Sequence, residues 1–498
     1  MSGEQIAKSE KPTKKSYVRS GLIFMTLSLA AHKGLLFILR ILLARYLSVG
    51  EYGLVTYCWG TGTTIGFLLM FGREHDAVVD IPRMSPNELS KETKYLLKIA
   101  IGIGVVFLWG TLSILITTNV ELRIWALVGY ALSNLIFQME YYTLISTKSF
   151  KSHLVLTSIF NGGSVLAVII LGQMSIITPQ NAILSILVLS TVASVFGAIL
   201  IRIIGTVDEK QHEIKIESKR VWSFSRFESS NLHYFTADIC TTLIPLLPVL
   251  LLDFFAGYEE VGFFGLSLSL YRASVIIAVI INITYGPGLS KTYIQNKSEY
   301  SRLFRESFQL TVFLQGAGAI GLGMLAGPVI SVLADVRYLD SINVLQILLF
   351  GACFEALYFV SSSVLRTAGH SSTLSRINIV ALGVFVIIGP ISVALIGLQG
   401  AALSYAIVVG VQASCSFTAV WLNKNTYPES ALKSSLLQRV FLLSLIPSVF
   451  LSLVVFSGVG ISLAWLIVFL AIYYLVSHGL DVLKLTDVRD FLLSGSFE

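Results

Sequence analysis

Between Leu22 and Leu475 the sequence is a succession of apolar runs parted by short polar stretches. A helix needs about 20 apolar residues to cross the hydrocarbon of a bilayer, and run after run reaches that length. The mean hydropathy is +0.79 and only 13% of the 498 residues are charged, against about 25% in an average soluble domain. One soluble core of this length has no room for that much apolar surface, so a soluble enzyme is excluded. A disordered chain is excluded by the same composition. An open sheet leaves its backbone unsatisfied in lipid, so the fold class is all-α: a polytopic integral membrane protein of about 14 transmembrane helices.

The expected spans are 20–46, 51–72, 95–117, 122–146, 152–173, 181–204, 227–253, 260–286, 304–332, 339–366, 374–397, 399–422, 436–456 and 459–480. With a cytoplasmic N-terminus, all but six of the 35 Lys and Arg residues fall in inner loops and tails or in the innermost turns of the spans beside them. The exceptions are Arg45, Arg123 and Arg337 in outer loops and Lys33, Arg40 and Arg272 within spans. That asymmetry obeys the positive-inside rule and accounts for the net charge of +6 without nucleic acid as a partner. An even number of spans then places both termini in the cytoplasm of a multi-pass cell (inner) membrane protein. Residues 1–19 read as a solvated tail, since the charged run that follows lacks the short uncharged core and cleavage site of a signal peptide. Cys58, Cys240, Cys353 and Cys415 lie far apart in apolar runs and read as small buried hydrophobes.

Residues 41–54, ILLARYLSVGEYGL, resemble residues 249–263, VLLLDFFAGYEEVGF, and Glu51-Tyr52-Gly53 matches Glu260-Val261-Gly262 at an offset of 209. Both stretches join an odd span to an even one on the outer side, six spans apart, so the copies share one orientation. This divides the chain into a tail (1–19), a first six-helix lobe (20–204), a cytoplasmic linker (205–226), a second six-helix lobe (227–422), an appended helix pair (423–480) and a second tail (481–498). Repeated bundles that rock about a midplane site are a common transporter plan.

A charge within the hydrocarbon costs at least about 2.5–3.5 kcal/mol on insertion scales, so intramembrane charges face a cavity or a partner. Lys33 and Arg40 project from nearly one face of the first span, with Thr26 extending the stripe. Tyr57, Thr61 and Thr64 share a face of the second. Asp238 precedes Pro245 and Pro248, which should bend the seventh span. Arg272 lies on the eighth with Ser269 and Gly265 beside it. Gly351, Glu355, Tyr358 and Ser362 align on the tenth, running towards Arg366. One reading is a hydrated cavity whose cations Lys33, Arg40 and Arg272 bind an anionic group, with Asp238 and Glu355 as ion-coupling groups or charge partners. The other is that the charges pair internally, for example Lys33 or Arg40 with Asp238. His32 reads as a packing residue, and Arg45, Glu140 and Asp253 as residues of the span ends.

No phosphate loop, metal-ligand cluster or nucleophile elbow is present, so the chain is expected to be no enzyme and to need no metal or cofactor. A glycan polymerase would show a large outer loop, and none is seen. A scaffold without transport activity would tolerate neutralising the three central cations.

Three stretches carry a resemblance to a known family. RILLARYLSVGEYGLVTY (40–57) resembles the junction of the first two helices of polysaccharide flippases. LYRASVIIAVIINITYGPGLSK (270–291) resembles their eighth helix, where a basic residue, here Arg272, precedes a terminal Pro-x-Leu-Ser, here Pro287-Gly288-Leu289-Ser290. IGLQGAALSYAI (396–407) resembles the short turn between helices 11 and 12. Together they resemble the Wzx-type oligosaccharide flippases of the multidrug/oligosaccharidyl-lipid/polysaccharide exporter superfamily. The resemblance implies two V-arranged lobes, alternating access and a cationic cavity that carries a lipid-linked oligosaccharide, usually on undecaprenyl diphosphate, to the outer leaflet for surface polysaccharide such as O-antigen or exopolysaccharide. It implies membrane lipid as surroundings and glycan polymerase and assembly proteins as partners. It also matches Arg272 to the family's basic residue, while related lipid II flippases place a basic residue on the first helix, where Lys33 and Arg40 stand. The competing member of the superfamily is a cation-coupled multidrug exporter, which would favour acidic cavity residues.

Overall fold

In a computed structural model of the chain, residues 14–68, 129–131, 135, 137, 150–208, 229–422 and 463–479 are described. The expected spans 95–117 and 436–456, most of 122–146 and the polar stretches 73–94 and 209–226 lie outside them. Every described element is helical. The helices are α1 (Lys14–Tyr46), α2 (Val49–Leu68), α3 (Phe150–Thr157), α4 (Gly163–Gln173) and α5 (Pro179–Asp208) in the first half of the chain. The second half has α6 (Ser229–Leu243), α7 (Leu247–Phe255), α8 (Tyr258–Gln295), α9 (Lys297–Met324), α10 (Ala326–Leu333), α11 (Ser341–Thr367) and α12 (Ser371–Leu422), followed by α13 (Leu463–Gly479).

Local chemistry sets the helix ends. Ser48 and Glu51 form a capping box at the start of α2: the Ser48 amide donates to Glu51 Oε2 at 2.9 Å and the Glu51 amide reaches Ser48 Oγ at 3.4 Å. Asn296 caps α9 by accepting the amides of Ser298 and Glu299. A π turn, Ser158–Gly162, joins α3 to α4. Pro248 opens α7, where its missing amide costs nothing, and a turn at residues 244–246, around Pro245, separates α6 from α7 within one span, Leu232–Phe255. The helix of 52 residues is in fact two spans. Ile396 and Gly397 leave helical geometry, Gly397 with φ +56°. A Cβ on Gly400 would run into the Ser392 carbonyl, so the chain folds back on itself there. Exposed Ile379, Val380, Val386, Ile387 and Ile391 leave one side of its first arm apolar, as a lipid-facing surface requires.

The eighth helix is not confined to its span: it runs on to Gln295, past the apolar window Tyr258–Asn282 that agrees with the expected span 260–286. The extension packs on α9 through Tyr293 against Tyr300, and Tyr300, Phe304 and Phe308 stack in sequence behind it, so aromatic packing replaces lipid as the reason to stay helical. The ninth span is not continuous: α9 and α10 meet at an angle of 71° at Leu325.

The repeat is visible in the backbone. At the offset of 209, the end of α1 at Tyr46 corresponds to the end of α7 at Phe255, and the start of α2 at Val49 to the start of α8 at Tyr258. The two copies also pack on each other reciprocally. A Cβ on Gly53 would collide with the carbonyl of Tyr258, and a Cβ on Gly262 with the carbonyl of Val49. Gly53 and Gly262 are equivalent positions, as are Val49 and Tyr258. Thr56 and Gly265, also equivalent, touch each other: a Cβ on Gly265 would lie 2.7 Å from Thr56 Cγ2. A local two-fold axis therefore passes through the α2–α8 crossing. Tyr338 packs edge-on against both Tyr52 and Phe263, and Arg337 Nη2 donates to the Arg45 carbonyl at 3.2 Å. The halves are thus joined at the end that carries residues 47–48 and 256–257.

Gly53→Ala and Gly262→Ala are each expected to force α2 from α8, costing about 1–3 kcal/mol of packing. Gly50→Ala on the same helix meets open space. Thermal unfolding of the purified protein in detergent should show a lowered midpoint for the first two and none for the third.

Candidate functional site

Lys33 lies thirteen residues from the end of α1, Arg272 fourteen from the start of α8 and Glu355 fourteen from the start of α11. At 1.5 Å per residue all three sit about 20 Å from the joined end, inside the span rather than at its rim. Arg40, two turns above Lys33, sits about 9 Å from that end.

The three cations expected to act together are brought together. The charges acting on Lys33 are those of Arg272 and Arg40, and Arg272 also acts on Arg40. Among the described residues no carboxylate lies within salt-bridge distance of any of them. Lys33 and Arg272 have exposed side chains although they lie mid-helix in an apolar protein.

Arg40 differs from the other two. Its guanidinium lies over the Trp59 ring, 5.3 Å from the centroid, with Tyr130 stacked parallel to Trp59. Arg40 Nη1 donates to Ser269 Oγ at 3.3 Å, a bond from α1 in the first half to α8 in the second. Ser269 Oγ in turn donates to the Gly265 carbonyl at 2.7 Å, one turn from the α2–α8 crossing.

The two acids part company. Asp238 does not pair with Lys33 or Arg40. Its Oδ1 accepts from Arg366 Nη2 at 2.7 Å, and Arg366 also lies over the ring of Tyr234. α6 and α11 both pack on α12, which brings Asp238 to Arg366, whereas Arg40 is turned to Ser269 of α8. A saturated network adjoins this pair. Asn378 Oδ1 accepts from Tyr358 Oη and Gln412 Nε2 at 3.0 and 2.9 Å, and Asn378 Nδ2 donates to the Ala237 carbonyl at 3.4 Å. Glu355 accepts a hydrogen bond from Tyr271, the neighbour of Arg272, and lies in the field of Arg272 and close to Tyr405.

Sequence reading missed the partners that lie far away in the chain: Trp59, Ser269 as a hydrogen-bond acceptor, Tyr271 and Asn378. It also gave no sign of a polar cluster in the first half. There Asn161 Nδ2 lies 2.9 Å from His32 Nδ1, Ser28 is hydrogen-bonded to His153, and His32 stacks on Phe137. Asn161 stands in the π turn, which no residue pattern announces. His32 therefore packs against partners, as expected. Among the described residues no group of three or more His, Cys, Asp or Glu side chains is placed to hold a metal.

Among the described residues the chain is all-helical, with several helices long and apolar enough to cross a membrane and two repeated halves that pack on each other. The polysaccharide biosynthesis protein family matches residues 18–293, more than half of the chain, and the protein belongs to that family. No curated protein matches the sequence. Among solved structures, a lipid II flippase MurJ in an inward closed conformation superposes with TM-score 0.61 at 15% identity, covering 94% of this chain and 100% of that one. An outward-facing multidrug resistance MATE family transporter of the MOP superfamily superposes with TM-score 0.53 at 15% identity, over 85% and 100% of the two chains. An inward-facing one gives TM-score 0.55 at 15% identity, over 84% and 99%. The fold is that of these polytopic transporters, and the resemblance to Wzx-type flippases read from the sequence agrees with the family.

In a cysteine-free background, Lys33→Cys and Arg272→Cys are expected to react readily with a negatively charged, membrane-impermeant thiosulfonate reagent in inverted vesicles. Leu39→Cys, on the buried side of α1 at 1% exposure, is expected to stay unmodified. Mass spectrometry of the intact protein reads the difference.

Proposed function

We propose that the protein flips a lipid-linked oligosaccharide of the undecaprenyl-diphosphate type from the cytoplasmic to the outer leaflet by alternating access, for surface polysaccharide synthesis. The observation that carries this reading is the cluster of Lys33, Arg40 and Arg272, three cations in one another's fields with Glu355 as the described acid in reach. A diphosphate cannot cross hydrocarbon uncompensated. A wet cavity lined by Lys and Arg replaces its hydration, and a guanidinium can hold phosphate oxygens in pairs. In this reading Lys33 and Arg272, exposed and without a hydrogen-bond partner among the described residues, take the diphosphate, while the prenyl chain remains in lipid between the lobes 20–204 and 227–422. The linker 205–226, both tails and the bulk of the basic residues face the cytoplasm of a cell (inner) membrane, and the joined end faces outward. Glycan polymerase and assembly proteins receive the product.

The acids take different roles. Asp238, committed to Arg366, holds α6 to α11. Glu355, hydrogen-bonded to a tyrosine and facing Arg272, is the group suited to couple a proton or cation to transport. The multidrug reading draws on the fold of the MATE structures, but a cavity with an excess of positive charge repels the cationic drugs that such an exporter would carry.

Complementation in cells that need this gene for surface polysaccharide tests the proposal. With protein levels matched by blot, Arg272→Ala should trap the lipid-linked intermediate on the cytoplasmic leaflet and lower surface glycan at least tenfold, and Arg272→Lys should restore part of the flux. Normal flux in Arg272→Ala would make Arg272 a packing residue. No effect of the unmutated gene on surface glycan would favour drug export.

A further inference from the structure

We propose that Arg40 is a latch rather than a third ligand: in the empty cavity it holds the two halves together through Ser269, and an anion bound at Lys33 and Arg272 draws it off and releases the joined end. The inference rests on the anionic-substrate reading for its trigger, and on geometry alone for the latch.

The geometry of the three cations sets them apart. Lys33 and Arg272 have exposed side chains, whereas Arg40 is partly buried, seated on Trp59 and bonded to Ser269 across the halves. Ser269 is bound to the turn of α8 that contains Gly265, and Gly265 rests on Thr56 at the local two-fold axis. A displacement of Arg40 is thereby transmitted to the α2–α8 crossing, the place where the halves are joined. The same guanidinium lies in the fields of Arg272 and of Lys33, about 10 Å away along α1. With the cavity empty those fields repel it towards the Trp59 face and the Ser269 hydroxyl. A bound diphosphate diester, with two negative charges, cancels the two positive charges of Lys33 and Arg272. Arg40 is then no longer repelled onto Ser269, and the polar contact from α1 to α8 is lost just as the site is filled. A ligand shifts a two-state equilibrium only through interactions that differ between the states, and Arg40 supplies such a difference: it is bonded to Ser269 when closed and drawn off by the charge of the anion held at Lys33 and Arg272 when open. The arrangement also guards against opening while empty, since an unoccupied cavity strengthens its own latch.

The test uses the full chain, made cysteine-free, in lipid nanodiscs with spin labels at Met174→Cys and Leu395→Cys. Both positions are exposed at the joined end, in opposite halves. Pulsed dipolar spectroscopy reads the distance between them, and farnesyl diphosphate serves as the anionic probe, its binding measured by equilibrium dialysis. Adding the probe should lengthen the distance in the otherwise unmutated protein. Ser269→Ala should raise the open fraction about tenfold with no probe present, the size expected for a hydrogen bond to a charged group. Arg40→Gln, which keeps a donor and removes the charge, should bind the probe within a few-fold of the unmutated affinity yet fail to open in response. A closed Ser269→Ala protein, or an Arg40→Gln protein that opens with the probe as the unmutated one does, overturns the proposal. If no variant binds the probe while Ser269→Ala still opens, the anionic-substrate reading and the trigger fall together and the latch stands.

Discussion

Three positive charges held inside an apolar bundle are the constraint on which the rest of the structure turns. Each costs several kcal/mol to place in hydrocarbon, and their mutual repulsion adds to that. Lys33 and Arg272 meet the cost by reaching solvent, while Arg40 meets it with an aromatic face and a hydroxyl. Glu355 is near but tied to Tyr271. In the proposed function the bundle keeps a wet space at the level of these residues, and that space favours an anion. Asp238 and Arg366 form a neutral pair elsewhere, so the positive excess in the cavity is left standing.

Around that space the two halves are joined by small residues. Gly53 and Gly262 allow α2 and α8 to come within backbone contact, and because they are equivalent positions of a repeat, one crossing geometry serves both. Side chains fill the rest of the junction: Tyr338 lies between Tyr52 and Phe263, Tyr57 meets Tyr258 edge-on, and Leu43, Val49, Val55, Val261 and Phe264 belong to one buried cluster that spans both halves. The second half, in contrast, is pinned within itself by the Asn378 network and by Ser267 and Ser341, each of which bonds the Phe263 carbonyl. Its helices are built to move as a unit.

Much of this was legible in the sequence, for physical reasons that can be named. Apolar runs of membrane-spanning length dictate helices because lipid offers the backbone no partner, so α1, α5, α11 and the two arms of α12 fall where hydropathy puts them. The Ser48–Glu51 box and Pro248 mark their helix starts in plain residue chemistry. The cluster of Lys33, Arg40 and Arg272 was legible because a mid-span charge demands an explanation. What was hidden depends on tertiary approach. Hydropathy ends the eighth span near 286, and only the aromatic packing of Tyr293 on Tyr300 explains why the helix goes on to Gln295. The choice of Arg366 rather than Lys33 as partner to Asp238 follows from the packing of α6 and α11 on α12, which no spacing encodes. The glycines of the crossing were visible as a repeat but not as a contact.

The account comes down to whether this cavity passes a large anionic lipid headgroup. The direct measurement is leaflet exchange in proteoliposomes containing the purified protein and a fluorescent polyprenyl-diphosphate-linked oligosaccharide, with an added lectin or glycosidase reporting the headgroups on the outside. The account predicts that the protein speeds transfer of the glycolipid between leaflets, and that this acceleration vanishes when Lys33 and Arg272 are both neutralised. A protein that leaves the glycolipid where it was, yet carries a cationic dye across the same membranes, would contradict it.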